Sequence, residues 1–280
     1  MNNIFNIKRF GLAFRKDTLE NWKRYMLLFL TMLGIITIII TWISLDNFKA
    51  EKTNLEINKN ILRGLSLMFG AFGLIFASTF MNPMNSKIKR MAYLINPSSN
   101  LEKYLTRWII VTVGYAISFF AALWIADLFR VGICSASYPE AEVMFLDITK
   151  LIANGDTMEI NDYLFGKEPF VLVAALLFLF QSLFILGSTF WEKSTFVKTF
   201  SALILILLSF VLICRFTILI FYGNFENFGN MLQSLLPSTS IDIKKEKSLA
   251  ILSSVISVFT LTNWTLAYFR FRESEIVKRV

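Results

Sequence analysis

The chain has 280 residues, of which 55% are hydrophobic, with a formal net charge of +8 and a mean hydropathy of +0.58. It is too apolar for an ordinary soluble domain. Histidine is absent, which removes HExxH metalloproteases, Ser-His intramembrane proteases, His-dependent phosphatases and haem carriers, and the lack of a GxxxxGK loop removes P-loop binding of ATP.

A bilayer crossing needs about 20 apolar residues. Six runs qualify, at 25–44, 62–81, 108–129, 170–190, 199–221 and 249–270. The expectation is therefore an all-α polytopic membrane protein with six transmembrane helices in a single domain, 1–280.

In front of the first run, Ile4, Ile7, Phe10, Phe14 and Trp22 fall broadly on one helical face. Most of Lys8, Arg9, Lys16 and Lys23 lie elsewhere, so residues 1–24 are expected as an amphipathic helix lying flat at the membrane surface. A basic flank that merely sets topology is the blander reading. Run one carries no charge, starts late and has full spanning length, which reads as a signal anchor rather than a cleavable signal. The 45–61 loop is hydrophilic and mixed in charge.

Run two carries Ser66, Gly70, Gly73 and Ala77 on one stripe, and run three carries Gly114, Ser118, Ala122 and Ala126. Such stripes let helix backbones approach closely, so these two spans are expected to pack on each other or on a second copy.

Between them lies a basic island, 82–107. Lys87, Lys89, Arg90, Lys103 and Arg107 stand against one acid, Glu102. Ile88, Met91, Ala92 and Ile95 recur at helical spacing, as in a short amphipathic surface helix. Asn96-Pro97 should break that helix, and Ser99 with Glu102 three residues on is a capping-box signature for a new one running into run three.

Asp127 and Arg215 fall inside apolar runs. A charge near the bilayer centre costs about 3 kcal/mol on insertion scales, so each is expected to pair. They could pair with each other, with Arg130 and Arg63 as rival partners for Asp127. The functional reading is a polar element of a substrate or gating path, and the plainer one a structural ion pair. Gln181 and Asn263 are further intramembrane polar residues, more often interhelical hydrogen bonds than ligands.

The 130–169 loop holds seven acids and three bases. It lacks an EF-hand pattern and reads as a solvated acidic surface. In 221–248, Phe221, Phe225, Phe228 and Leu235 recur at helical spacing before Pro237, as in an amphipathic segment half-sunk in the outer leaflet. Cys134 and Cys214 lie at different depths and make no disulfide framework.

Charge alternates along the chain. Residues 1–24 carry six bases and two acids, 82–107 five and one, and the tail from Arg270 four and two, whereas 45–61 and 222–248 balance. The positive-inside rule then places both termini and the 82–107 loop in the cytoplasm, facing anionic lipid rather than nucleic acid. No catalytic, cofactor or metal-binding residue is expected, and Asp127 has no second carboxylate in a span to make an aspartyl protease.

These pieces, in this order, resemble the membrane subunit of an ABC-2 type transporter. Within that group the pattern L-x-x-P-[AS]-S-x-x-E-K-[FY]-[LV]-x-R-[WF] is similar to Leu94-Ile95-Asn96-Pro97-Ser98-Ser99-Asn100-Leu101-Glu102-Lys103-Tyr104-Leu105-Thr106-Arg107-Trp108. The FNIKRFGLAFRKDTLENWKRY stretch at 5–25 is similar to the same group. The resemblance implies a permease in the bacterial cytoplasmic membrane, an exporter driven by a separate cytoplasmic P-loop ATPase and paired with a second permease copy. It makes 82–107 a coupling loop, with Lys87, Lys89, Arg90, Glu102 and Lys103 as contacts or supports for the ATPase groove. The alternative is a non-transporting membrane scaffold or regulator.

Overall fold

The long apolar runs form helices because a backbone in hydrocarbon must satisfy its own N–H and C=O groups. The computed structural model describes residues 5–50, 54–139, 143–146, 167–191, 194–223 and 241–276. Its regular elements are helices: α1 (Ile7–Lys49), α2 (Asn54–Ser78), a 3-10 turn (Asn82–Met84), α3 (Lys87–Ile95), α4 (Asn100–Ile109), α5 (Tyr115–Ser137), α6 (Lys167–Phe190), α7 (Thr195–Tyr222) and α8 (Ile241–Ile276). One π-helical turn, Ile110–Gly114, joins α4 to α5. Among the described residues six helical stretches are long and apolar enough to cross a membrane, and each coincides with one of the expected runs to within a residue or contains it. The protein is a multi-pass helical membrane protein.

The flat helix expected at 1–24 is not a separate element. Asn6 caps α1 by accepting from the Lys8 N–H at 2.9 Å, and the helix then continues unbroken for 43 residues. At 1.5 Å per residue it is roughly 65 Å long, about twice a bilayer's hydrocarbon thickness. The amphipathic part is therefore a rigid extension of the first span. At its far end α1 runs on to Lys49 and α2 starts at Asn54, so most of the 45–61 loop is helical too.

Two apolar clusters hold the bundle. In the first, Met32, Ile36 and Ile40 of α1 meet Ile57, Ile61 and Leu65 of α2, and Phe119, Ala122, Leu123 and Ala126 of α5. The small residues Ala122 and Ala126 lie in this cluster, and α5 runs chiefly along α1 while its start also meets α2. Spans two and three do meet, but at the start of α5 rather than stripe on stripe: Tyr115 donates to the Phe69 carbonyl, and the rings of Phe69 and Phe76 pack on Tyr115. On the α2 stripe, a Cβ at Gly70 would meet Leu177 of α6, and one at Gly73 would meet Tyr115 at the start of α5.

The second cluster closes one end of the bundle. Ala77, Phe80, Met81 and Met84 pack with Tyr104, Phe184, Ile185, Ala267 and Phe271. The start of α1, the α2–α3 turn, α4 and the C-terminal part of α8 all gather there, because Asn6 reaches Glu102 and Tyr104 reaches Trp264. Basic residues concentrate at this end, which is called the basic end below.

Helix α7 stands apart. Within its apolar stretch no residue is buried, and it meets the bundle mainly through its first turns. There Gly187 of α6 lies so close to Thr199 that a Cβ would overlap the threonine side chain.

Candidate functional site

The basic end is built around α3 and α4. Ser86 caps α3 by accepting from the Lys89 N–H at 3.3 Å. The helix stops at Ile95, with Asn96 extended in front of Pro97, as the steric demand of proline requires. Ser99 then caps α4, and its capping box is complete: Glu102 N–H donates to Ser99 Oγ at 3.2 Å and Ser99 N–H to Glu102 Oε2 at 2.9 Å.

Glu102 has a second task that the capping motif does not reveal. Its other oxygen accepts from the Asn6 N–H at 2.7 Å and from the Arg9 guanidinium at 3.1 Å. The carboxylate is wholly buried. Burial by itself would push its pKa up, but the N–H groups of Ser99 and Asn6 and the Arg9 charge outweigh that, and the net shift is downward. The one sequence signal for this role is that Glu102 is the sole acid in the basic island.

A second latch lies further along the same two helices. Arg107 of α4 is paired with Asp17 of α1 at 2.8 Å and donates to the Tyr25 hydroxyl at 3.0 Å. Tyr25 donates in turn to Asp17 at 3.2 Å, and Asn21 adds a bond of the same length. Asp17 and Arg107 are both buried. Both lie outside the apolar runs, and burial raises the Asp17 pKa against the opposing pull of Arg107 and Tyr25.

The other side of α4 is tied to α8. Tyr104 donates to the Trp264 carbonyl at 2.8 Å, and Trp108 meets Trp264 edge to face at 5.0 Å. Tyr104 also contacts the rings of Phe80 and Tyr268. Helix α4 is therefore clamped between α1 and α8, and α3 rides on it. Tyr93 donates to the Lys103 carbonyl at 3.4 Å and lies under the Lys103 ammonium, while Arg90 donates to the Met84 carbonyl at 3.2 Å.

The outward side of α3 is apolar: Ile88, Met91 and Ile95 are 82%, 66% and 81% exposed, flanked by exposed Lys89. Of the five residues expected as contacts or supports for a partner's groove, Lys89 is thus open, and Arg90 is half-buried against its own chain. Glu102 and Lys103 are buried, so they sit behind the surface rather than on it. The Lys87 and Ala92 side chains lie outside the described residues.

At the opposite end, Asp127 pairs with Arg130 at 2.6 Å. Leu146 N–H donates to Asp127 at 3.0 Å and Arg130 donates to the Met144 carbonyl at 2.8 Å, so the pair pins the chain that follows α5. Arg130 is thus the partner of Asp127. Arg215 sits exposed on α7 with no carboxylate in reach among the described residues. Gln181 donates to the Val111 carbonyl at 3.2 Å, serving the π-turn, and Asn263 donates to Ser182 at 3.0 Å. Both are interhelical bonds. Cys134 and Cys214 are free thiols. Most of the acidic 130–169 loop and residues 224–240 of the expected amphipathic segment lie outside the described residues.

No family model, no curated protein and no solved structure matches the chain.

Proposed function

We propose that the chain is the membrane-spanning permease subunit of an ABC-type exporter in a bacterial cytoplasmic membrane, worked by a separate cytoplasmic P-loop ATPase. The observation that carries this reading is α3. Its apolar stripe is exposed, while its inner side is tied through α4 to both α1 and α8. An amphipathic helix presented this way fits a hydrophobic groove on a partner. Because the island is basic, the positive-inside rule puts that partner in the cytoplasm.

In this reading Ile88, Lys89, Met91 and Ile95 are the contact surface. Arg90, Glu102 and Lys103 hold it from behind. A push on α3 travels through the two latches to the first span and through Tyr104 and Trp264 to the sixth. In this reading no residue of the chain does covalent chemistry, and the energy comes from the partner. A second permease copy would cover the bare side of α7.

The test is a mild-detergent pull-down of the tagged protein from its native membrane, with mass spectrometry of co-purifying chains. The expected result is a stoichiometric P-loop ATPase that is lost in Met91→Asp/Ile95→Asp, with insertion unchanged. Recovery without any ATPase would overturn the permease reading in favour of a membrane scaffold. Charge reversal at Glu102 and Lys103 is unsuited to this test, since it breaks contacts inside the chain.

A further inference from the structure

Between the N-terminal part of α1, the Asn82–Met84 turn, α3 and α4 lies a cavity of about 300 Å³. Small-molecule sites begin at roughly this size. Five cations line it, Lys16, Arg24, Lys89, Lys103 and Arg107, against the two carboxylates Asp17 and Glu20. Both carboxylates are already engaged, Asp17 by Arg107 at 2.8 Å and Glu20 by Lys16 at 3.8 Å.

The cations are not balanced in the same way. Among the described residues no acid lies within ion-pair distance of Arg24 or Lys89. Arg24 and Arg107 are close enough for their like charges to disfavour each other. Arg107, only 5% exposed, also keeps a buried Nε with no hydrogen-bond acceptor. A buried donor left unpaired is costly unless something occupies the site.

Position adds a further argument. Arg24 immediately precedes the apolar run at 25–44, and Arg107 the run at 108–129. The cavity therefore opens at the boundary between water and hydrocarbon, the level of lipid phosphates. Guanidinium groups match the oxygens of a phosphate, and the charges of Arg24 and Lys89 suit an anion that carries one or two negative charges.

We propose that this cavity binds a phosphate-bearing anion, with Arg24 and Lys89 at its open side and Arg107 at its buried side. The phosphate comes from a lipid headgroup of the adjoining leaflet or from a soluble phosphate ester. Either would bridge α1 to α3 and so hold α3 against the bundle. The inference does not depend on the permease reading, because it concerns only groups of this chain.

The experiment is a titration of delipidated full-length protein in detergent, followed by thermal stability and by native mass spectrometry of retained ligand. The probes are phosphatidylglycerol, a phosphate-free galactolipid, glycerol 3-phosphate and inorganic phosphate. Saturable stabilisation by phosphatidylglycerol alone assigns the headgroup source. Stabilisation by glycerol 3-phosphate or inorganic phosphate as well assigns the soluble one. In either case Arg24→Gln/Lys89→Gln should weaken the apparent affinity at least tenfold, while Arg24→Lys retains it and Lys198→Gln/Arg272→Gln, at exposed bases elsewhere, has no effect. The proposal is overturned if no phosphate probe acts, if the galactolipid acts equally well, or if the Arg24/Lys89 pair titrates like the unaltered protein.

Discussion

Asp17 and Arg107 are two buried charges that meet at 2.8 Å at the edge of the membrane region. Removing one leaves the other uncompensated, and such changes cost about 3–5 kcal/mol. Asp17→Ala is therefore expected to lower stability in denaturant titrations in micelles by that order. Asp17→Leu/Arg107→Leu should lose much less, because an apolar pair carries no desolvation penalty. Equal losses in the single and double variants would show that the pair is not the source. Glu102 behaves differently with pH. Its folded pKa is depressed, so its contribution is fully present above the ordinary glutamate value and is lost as pH falls through the lower folded value. A nitroxide at Phe5→Cys should stay immobile as pH passes the ordinary glutamate value and become mobile only below it. In Glu102→Ala it should be mobile at every pH. The capping box was legible from Ser99 and Glu102 alone, since cap and acceptor sit within one helical turn. The bond from Asn6 to Glu102 spans 96 residues, and no local pattern encodes a contact at that separation.

Elements show the same division between local and distant information. The break at Asn96-Pro97 and the new start at Ser99 follow from backbone sterics and orphan N–H groups. Ser99→Ala should cost about 1 kcal/mol, read as a small fall in unfolding midpoint. The continuity of α1 was not legible. Polarity changes at Arg24 and Tyr25, but polarity does not end a helix, and neither Pro nor Gly stands there to do so. The π-turn at Ile110–Gly114 likewise has no marker in the sequence; its Val111 carbonyl accepts from Gln181 of another helix. At the α6–α7 turn, Gly187 touches Thr199 closely. Gly187→Ala should force the two helices apart and destabilise the protein by about 1–3 kcal/mol, the usual cost of overpacking. Thr199→Ala in the same chain should restore part of that loss in a melting experiment, since it removes the atoms in the way.

Across the whole molecule the least packed span is α7, whose apolar stretch buries nothing in the single chain. Lipid satisfies such a face as well as protein does, so exposure alone does not choose between them. Cys214 lies on this helix and Cys134 is buried on α5, which makes a direct measurement available. If a second copy packs on α7, mild oxidation of native membranes should give a cross-linked dimer, abolished by Cys214→Ala and unaffected by Cys134→Ala. Monomer alone in the unaltered protein would leave lipid as the neighbour of α7.

Six crossings and a basic end were set by the chain's own residues. Hydropathy and charge act on each segment through the solvent, without reference to any other segment. Which helix meets which was decided only in three dimensions. The stripes of α2 and α5 looked like partners, yet α5 lies chiefly along α1 and meets α2 near Tyr115 and Phe119, because any smooth face can accept any other of matching shape. The same holds for charges: the resemblance made Glu102 and Lys103 contacts or supports of a partner's groove, and the fold buries both at the junction of α1, α3 and α4. Burial depends on neighbours brought together by packing, and the sequence around a residue does not carry that information.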